Sequence, residues 1–199
     1  MEPSGLPKNL LTLRTKTFNL IKERSFSRGK VVLSSGKESD YYLDLKPTML
    51  HGEGIELLCT LIFEKLKKLP VDYFGGLEIG AVPLLSPLAM IAFDKGRQIP
   101  GFFVRKTVKT HGTKKLIEGV LEGELHDKRV VILDDVTTLG GSALKAVNAV
   151  KEVGAKVVLV LSIVDREEGA AELFKAHNVP FEALFRASEF MRATEPPAS

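Results

Sequence analysis

Two adjacent carboxylates, three hydroxyls and two glycines fall within nine residues, Asp134–Ser142 (DDVTTLGGS). They follow directly on the apolar run Val130–Leu133. The apolar run predicts a buried parallel strand, and Ala143–Val153 predicts the helix after it. Open α/β sheets hold ligands beyond the C-terminal ends of their strands, which is where Asp134 and Asp135 stand. Gly140 and Gly141 permit close backbone approach and positive φ. Thr137, Thr138 and Ser142 add hydroxyls, and the first turn of the helix adds unpaired N–H groups. Such a turn cradles a phosphate. Two carboxylates would repel that phosphate at short range, so the ligand needs two ends: a phosphate for the turn and vicinal hydroxyls for the acids. A ribose 5-phosphate has both. The segment lacks G-x-G-x-x-G and Gly-Lys-Ser/Thr, which excludes a dinucleotide fingerprint and a Walker A loop. An ordinary strand-to-helix turn with solvated acids accounts for one Asp and one Gly, not for the whole set.

A second cluster lies one predicted strand earlier. Arg105–Gly119 (RKTVKTHGTKKLIEG) has no apolar period, so the core is not expected to use it. Five cations, Arg105, Lys106, Lys109, Lys114 and Lys115, occur in it before any acid. Long loops of this kind are functional or disordered. Charge runs are commonly no more than solvated surface, but next to a sugar-phosphate turn this one suits polyphosphate. Cations closing over a departing diphosphate stabilise the charge that builds in the transition state. His111 can donate to the leaving oxygens, and Gly112 supplies a hinge.

The elements that must position these groups follow from periodicity. Helices are predicted at Asn9–Arg24, Glu53–Lys68 and from Pro83 to about Lys95. Further helices are predicted at Gly169–Ala176 and after Ser188, a candidate cap. Strands are predicted at Val31–Leu33, Tyr41–Leu45, Tyr73–Leu77, Gly101–Val104, Lys156–Val164 and Phe181–Phe185, with Gly154 ending the signature helix. Strands alternating with helices imply a mostly parallel central sheet covered on both faces. The first forty-five residues break that alternation and are expected to form a small hood over the ligand edge.

Composition sets the bounds. The chain has 199 residues, enough for one domain with its own core. Its formal net charge is +3, and without the basic loop the remainder is slightly acidic. A local anion site fits that distribution better than a nucleic-acid surface. The single cysteine, Cys59, forbids an internal disulfide and reads as core, which suits a reducing cytoplasm. The longest uncharged run, Ile79–Phe93, is shorter than the roughly 18 residues of a membrane span and holds Pro83 and Pro87. His51, His126 and His177 show no metal-ligand spacing.

With the loop and the turn together, R-K-x-x-K-x-H-G followed by D-D-V-x-T-x-G-G-S, the chain resembles the orotate phosphoribosyltransferases of the type I phosphoribosyltransferase family. Ser35-Gly36 with Tyr42 and Asp44, and Asp165-Arg166, match further family positions, so the resemblance covers nearly the whole chain. It implies the type I phosphoribosyltransferase fold, with a hood over about residues 1–45 and a flexible basic loop over 105–124. It implies transfer of a phosphoribosyl group from phosphoribosyl pyrophosphate to orotate, with Mg²⁺ carried mainly on substrate oxygens. By the same likeness Asp134 and Asp135 meet the ribose hydroxyls. Val136, Thr137, Thr138, Leu139, Gly140, Gly141 and Ser142 hold the 5′-phosphate, with Thr138 also near orotate. Arg105, Lys106, Lys109 and His111 hold the diphosphate, with Lys109 and His111 catalytic alongside the two acids. A homodimer sharing the loop across its interface is also implied.

Arg166 has an independent reading, since a guanidinium at a strand end grips a planar carboxylate in two-point fashion. An ion pair with Asp165, Glu167 or Glu168 is the alternative. Tyr42 suits stacking on a pyrimidine or packing in a short strand. Ser34 stands where many family members carry lysine and Gly80 where some do, and Glu78 near anions suggests a role toward Mg²⁺ or water. A phosphoribosyltransferase for another base, or a non-catalytic regulator sensing phosphoribosyl pyrophosphate, are the alternatives; no helix-turn-helix or RNA-reading motif supports the second.

Overall fold

The computed structural model describes residues 8–32, 38–107 and 115–195. Its centre is a parallel sheet of β3 (Tyr73–Gly76), β6 (Arg129–Thr137), β7 (Lys156–Asp165) and β8 (Phe181–Arg186), in that spatial order. Parallel bridges from Phe74 to Gly101 and Leu77 to Val104 add β4 (Phe103–Val104) on the outer side of β3. After β3 the chain therefore runs to one side as β4, then returns to the other side as β6. The strand order reverses between β3 and β6, and ligand crevices open at such a reversal.

Side-chain alternation splits the core in two. Along β6, Val131 and Leu133 face one apolar cluster while Val130 and Ile132 face the other. The first cluster is closed by α1 (Lys8–Ser25), α3 (Gly52–Leu66), α4 (Val82–Asp94) and α7 (Ala187–Ala193), the second by α5 (Gly141–Glu152) and α6 (Ala170–Ala176). Helices on both faces explain why β6 and β7 read as unbroken apolar runs. Pro83 occupies the first turn of α4, where its missing N–H costs nothing. Gly154, at φ +81°, ends α5 as expected.

Between α1 and α3 lie an antiparallel hairpin, β1 (Phe26–Val32) and β2 (Glu38–Leu43), and the single turn α2 (Lys46–Met49). Phe190 of α7 stacks on Phe18 at 4.4 Å and on Phe26 at 5.6 Å, tying this N-terminal layer to the far end of the chain.

Two expectations need correction. The segment after β4 is not free of core contacts: Ile117–Glu118 forms β5, antiparallel to β4, and Leu116, Ile117 and Val120 pack on the second cluster. Three apolar residues without a helical or strand period suffice when only the base of the loop docks. Nor does Ser188 cap the last helix. Arg186 is the N-cap, and its N–H donates to Glu189 Oε1 at 2.9 Å. A carboxylate at the third helical position satisfies that donor without a serine.

Candidate active site

A cavity of about 230 Å³ opens at the β3/β6 reversal, lined by Lys46, Glu78, Gly80, Lys106, Asp134, Asp135 and Ser142 among others. Its floor is the end of β6. Asp134 is 8% exposed, and burial, reinforced by the neighbouring Asp135 carboxylate, pushes its pKa up to about 7. Thr137 Oγ1 donates to Asp134 Oδ2 at 2.7 Å, which opposes that rise. Asp135 is half-buried and closes against the turn after β3. A Cβ added to Gly80 would stand 2.4 Å from Asp135 Oδ1. In this arrangement any side chain at position 80 requires the Asp135 carboxylate to move.

Beyond the acids the turn behaves largely as its composition suggests. Thr138, Leu139, Gly141 and Ser142 are exposed, while Gly140 takes φ +82° and lies against Phe174. Gly141 starts α5, whose first N–H groups face outward for an anion. One hydroxyl departs from expectation. Thr137 is 1% exposed and its Oγ1 lies 2.9 Å from Ser162 Oγ as well as on Asp134, so it does not face a phosphate. At the strand's last position its side chain falls on the β7 side rather than in the turn.

Two lysines bring positive charge to the cavity. Lys106 was expected; its N–H donates to Glu78 Oε1 at 2.9 Å. Glu78 thus ties the start of the basic segment to the turn after β3 while lining the cavity itself. Lys46, at the start of α2, was not foreseen. Asp44 Oδ1, 2.9 Å from its Nζ, raises its pKa, and Asp135 adds to that. The D-L-K-P run held the signal, a paired lysine before a helix-starting proline, but only the fold carries it to β6. Arg105 is half-buried at the base of the loop, where its N–H donates to the Leu116 carbonyl at 2.9 Å. Lys109 and His111 lie outside the described residues, as do Ser34, Ser35, Gly36 and Gly112.

A second recess adjoins the end of β7. Arg166, its side chain 4% exposed, donates from Nε to Glu168 Oε1 at 2.7 Å and from a terminal nitrogen to Ser39 Oγ at 3.2 Å. Its guanidinium lies 4.4 Å from the centre of the Tyr41 ring. The ion-pair alternative is therefore realised through Glu168, because a buried guanidinium demands an anionic partner. Tyr42 is not brought to this recess. It alternates with Tyr41 along β2, is 49% exposed, and hydrogen-bonds Asp44. Ser39 and Tyr41 thus join the site from positions that nothing in their local sequence marks, while Glu168 is the ion-pair partner that the sequence offered. Among the described residues no group of three or more His, Cys, Asp or Glu is placed to hold a metal, and no helix is long and apolar enough to cross a membrane.

Comparison with known proteins agrees with this geometry. The family model of the phosphoribosyl transferase domain matches residues 53–181. The chain is 56% identical over 181 residues to an orotate phosphoribosyltransferase of Bradyrhizobium diazoefficiens, covering 90% of this chain and 97% of that one. Identity to an orotate phosphoribosyltransferase of Rhodopseudomonas palustris (strain TIE-1) is 54% over 179 residues, covering 89% and 96%. Among solved structures, the Mycobacterium tuberculosis H37Rv orotate phosphoribosyltransferase in complex with 5-phospho-alpha-D-ribosyl 1-diphosphate superposes with a TM-score of 0.72 at 34% identity, over 90% of this chain and 99% of that one. A Corynebacterium diphtheriae phosphoribosyltransferase gives 0.76 at 32% identity, over 90% and 99%. A doubled acid at a strand-order reversal, a glycine-bearing turn after it and this degree of identity across nine-tenths of the sequence make the chain a member of the orotate phosphoribosyltransferase family.

Proposed function

We propose that this chain transfers the 5-phosphoribosyl group of phosphoribosyl pyrophosphate to orotate, releasing pyrophosphate and forming orotidine 5′-monophosphate for pyrimidine synthesis. The bond from ribose C1 to the diphosphate oxygen breaks, its electron pair leaving with pyrophosphate, and a C1–N bond to orotate forms as that nitrogen gives up its proton to solvent. Asp134 and Asp135 accept hydrogen bonds from the ribose diol and tolerate positive charge on the sugar. The backbone of Val136–Ser142, with the hydroxyls of Thr138 and Ser142, holds the 5′-phosphate. Arg105, Lys106, Lys109 and His111 take the diphosphate, joined by Lys46. Mg²⁺ enters with the diphosphate as part of the substrate, held mainly by substrate oxygens. Arg166 takes the orotate carboxylate in place of Glu168.

The observation that carries this reading is the cavity itself, with paired carboxylates on one wall and Lys46 and Lys106 on another. Loss of orotate, followed optically in the presence of phosphoribosyl pyrophosphate and Mg²⁺, tests it. Orotate is expected to turn over while uracil, adenine and hypoxanthine do not; use of another base in preference to orotate overturns the substrate assignment.

The single-domain, homodimeric and cytoplasmic readings belong here too. A core shared by the N-terminal layer and the sheet supports one domain. α4 carries no charge before Asp94 and leaves Met90 and Phe93 exposed, apolar surface suited to a second copy. One buried, unpaired thiol suits a reducing compartment. Loop sharing predicts that mixing inactive Lys109→Ala and Asp135→Asn chains restores part of the activity. Verified mixed dimers without recovery would argue against it.

A further inference from the structure

The hydroxyls behind Asp134 have no part in the reaction described so far. Ser162 lies directly across the β6–β7 ladder from Asp134 and is fully buried. Three contacts run in a line: Asp134 Oδ2 to Thr137 Oγ1 at 2.7 Å, Thr137 Oγ1 to Ser162 Oγ at 2.9 Å, and Ser162 Oγ to the Val164 carbonyl at 2.9 Å. The number of protons in this line depends on Asp134. With Asp134 neutral, its own proton goes to Thr137, that of Thr137 to Ser162, and that of Ser162 to Val164; three protons serve three contacts. With Asp134 ionised, Thr137 turns its single proton to the carboxylate, and the contact between the two hydroxyls is left without one.

We propose that Thr137 and Ser162 are positioning residues for Asp134, a two-hydroxyl relay that fixes Oδ2, leaves the other oxygen for the ribose diol, and re-orients as the carboxyl changes charge. The proposal rests on the phosphoribosyl-transfer reading for its consequence in catalysis, but the relay itself is a property of the ligand-free chain. It also explains why a hydroxyl inside the phosphate turn is spent inward. Burial places Asp134 where both charge states are accessible near neutral pH. Among the described residues the charged groups lining the same cavity are Asp135 on its own strand, Glu78 in the turn after β3, Lys46 of α2 and Lys106 after β4; from β7 the Ser162 hydroxyl faces Thr137. None of these charges is altered by changes at positions 137 and 162.

The two hydroxyls act with opposite sign. Thr137 donates to the carboxylate, so Thr137→Val disfavours the ionised form. Ser162 accepts from Thr137 only when Asp134 is neutral, so Ser162→Ala disfavours the neutral form. Difference infrared titration of the ligand-free full-length protein, with Asp134→Asn as the blank, reads the carboxyl directly. The midpoint is expected to rise by about one pH unit in Thr137→Val and to fall by about half a unit in Ser162→Ala. Thr137→Ser, which keeps the donor, is expected to titrate as the parent chain does. The acid limb of kcat/KM for phosphoribosyl pyrophosphate is expected to follow the same two directions. Shifts of the same sign in both variants, or no shift in either, overturn the relay. Should Thr137→Val fail to fold, an unmoved or raised midpoint in Ser162→Ala overturns it alone. Because the infrared midpoints need no turnover, absence of orotate turnover in the parent chain would count against the transfer reading and leave the relay to be decided by titration.

Discussion

Arg166 shows how one buried guanidinium is satisfied from several sides at once. Its fork holds Glu168 and Ser39, and its flat face lies on Tyr41. A carboxylate ligand exchanges with Glu168 at little electrostatic cost, because one anion replaces another. Uracil offers no such exchange. Arg166→Lys keeps the charge but loses the two-point grip, so KM for orotate is expected to rise by about tenfold or more and selectivity over uracil to shrink; steady-state kinetics with both bases measures this. The cysteine is ordinary by comparison. Cys59 is fully buried and burial pushes its thiol up to about 12, so it is a core atom and no nucleophile.

The glycines in the turns after β3 and β6 answer to different demands, and substitutions report on each. Gly80→Ala drives a Cβ to within 2.4 Å of Asp135 Oδ1. Displacement of that carboxylate is expected to lower kcat/KM by about a hundredfold with little change in melting temperature. Gly140→Ala meets a different obstacle, φ +82° together with Phe174 Cε2 at 2.9 Å from the new Cβ. It is expected to cost about 1–3 kcal/mol in denaturant unfolding, because a β-carbon is strained there whatever the packing. Weak activity with intact stability at position 80, and lost stability at position 140, separates a site contact from a backbone requirement.

Over the whole chain, the N-terminal layer and the last helix are one packing unit. Phe190 is fully buried between Phe18, Phe26 and Phe185. Phe190→Ala is expected to lose about 3–5 kcal/mol in urea unfolding, because the cavity it leaves is shared by both ends of the chain. Two acids give stability opposite pH dependence. Asp72 is pulled down to about 2, chiefly by hydrogen bonds from the Arg129 side chain, so its contribution is present above pH about 4 and is lost as pH falls toward 2. Asp134 is raised, so the folded chain holds a proton that the unfolded chain releases, and stability falls as pH climbs from about 4 to about 7. Asp134→Asn is expected to flatten that decline and Asp72→Asn the acid one, both read by melting temperature against pH.

Sequence alone determined the alternating strand–helix order, the phosphate turn at the end of β6 and the core role of Cys59, because each is written in contiguous residues with a short period or a local turn rule. It also identified Asp134, Asp135 and Lys106. Tertiary structure decided which hydroxyls face the ligand and which face inward, since Thr137 and Thr138 are neighbours of the same polarity and only the position of β7 separates them. It decided that Tyr41, not Tyr42, lies beneath Arg166, because the hairpin's register sets which face of β2 meets the end of β7. Lys46 and Ser39 came to the site from far along the chain, because the packing of the N-terminal layer carries Lys46 to the end of β6 and Ser39 to Arg166 at the end of β7.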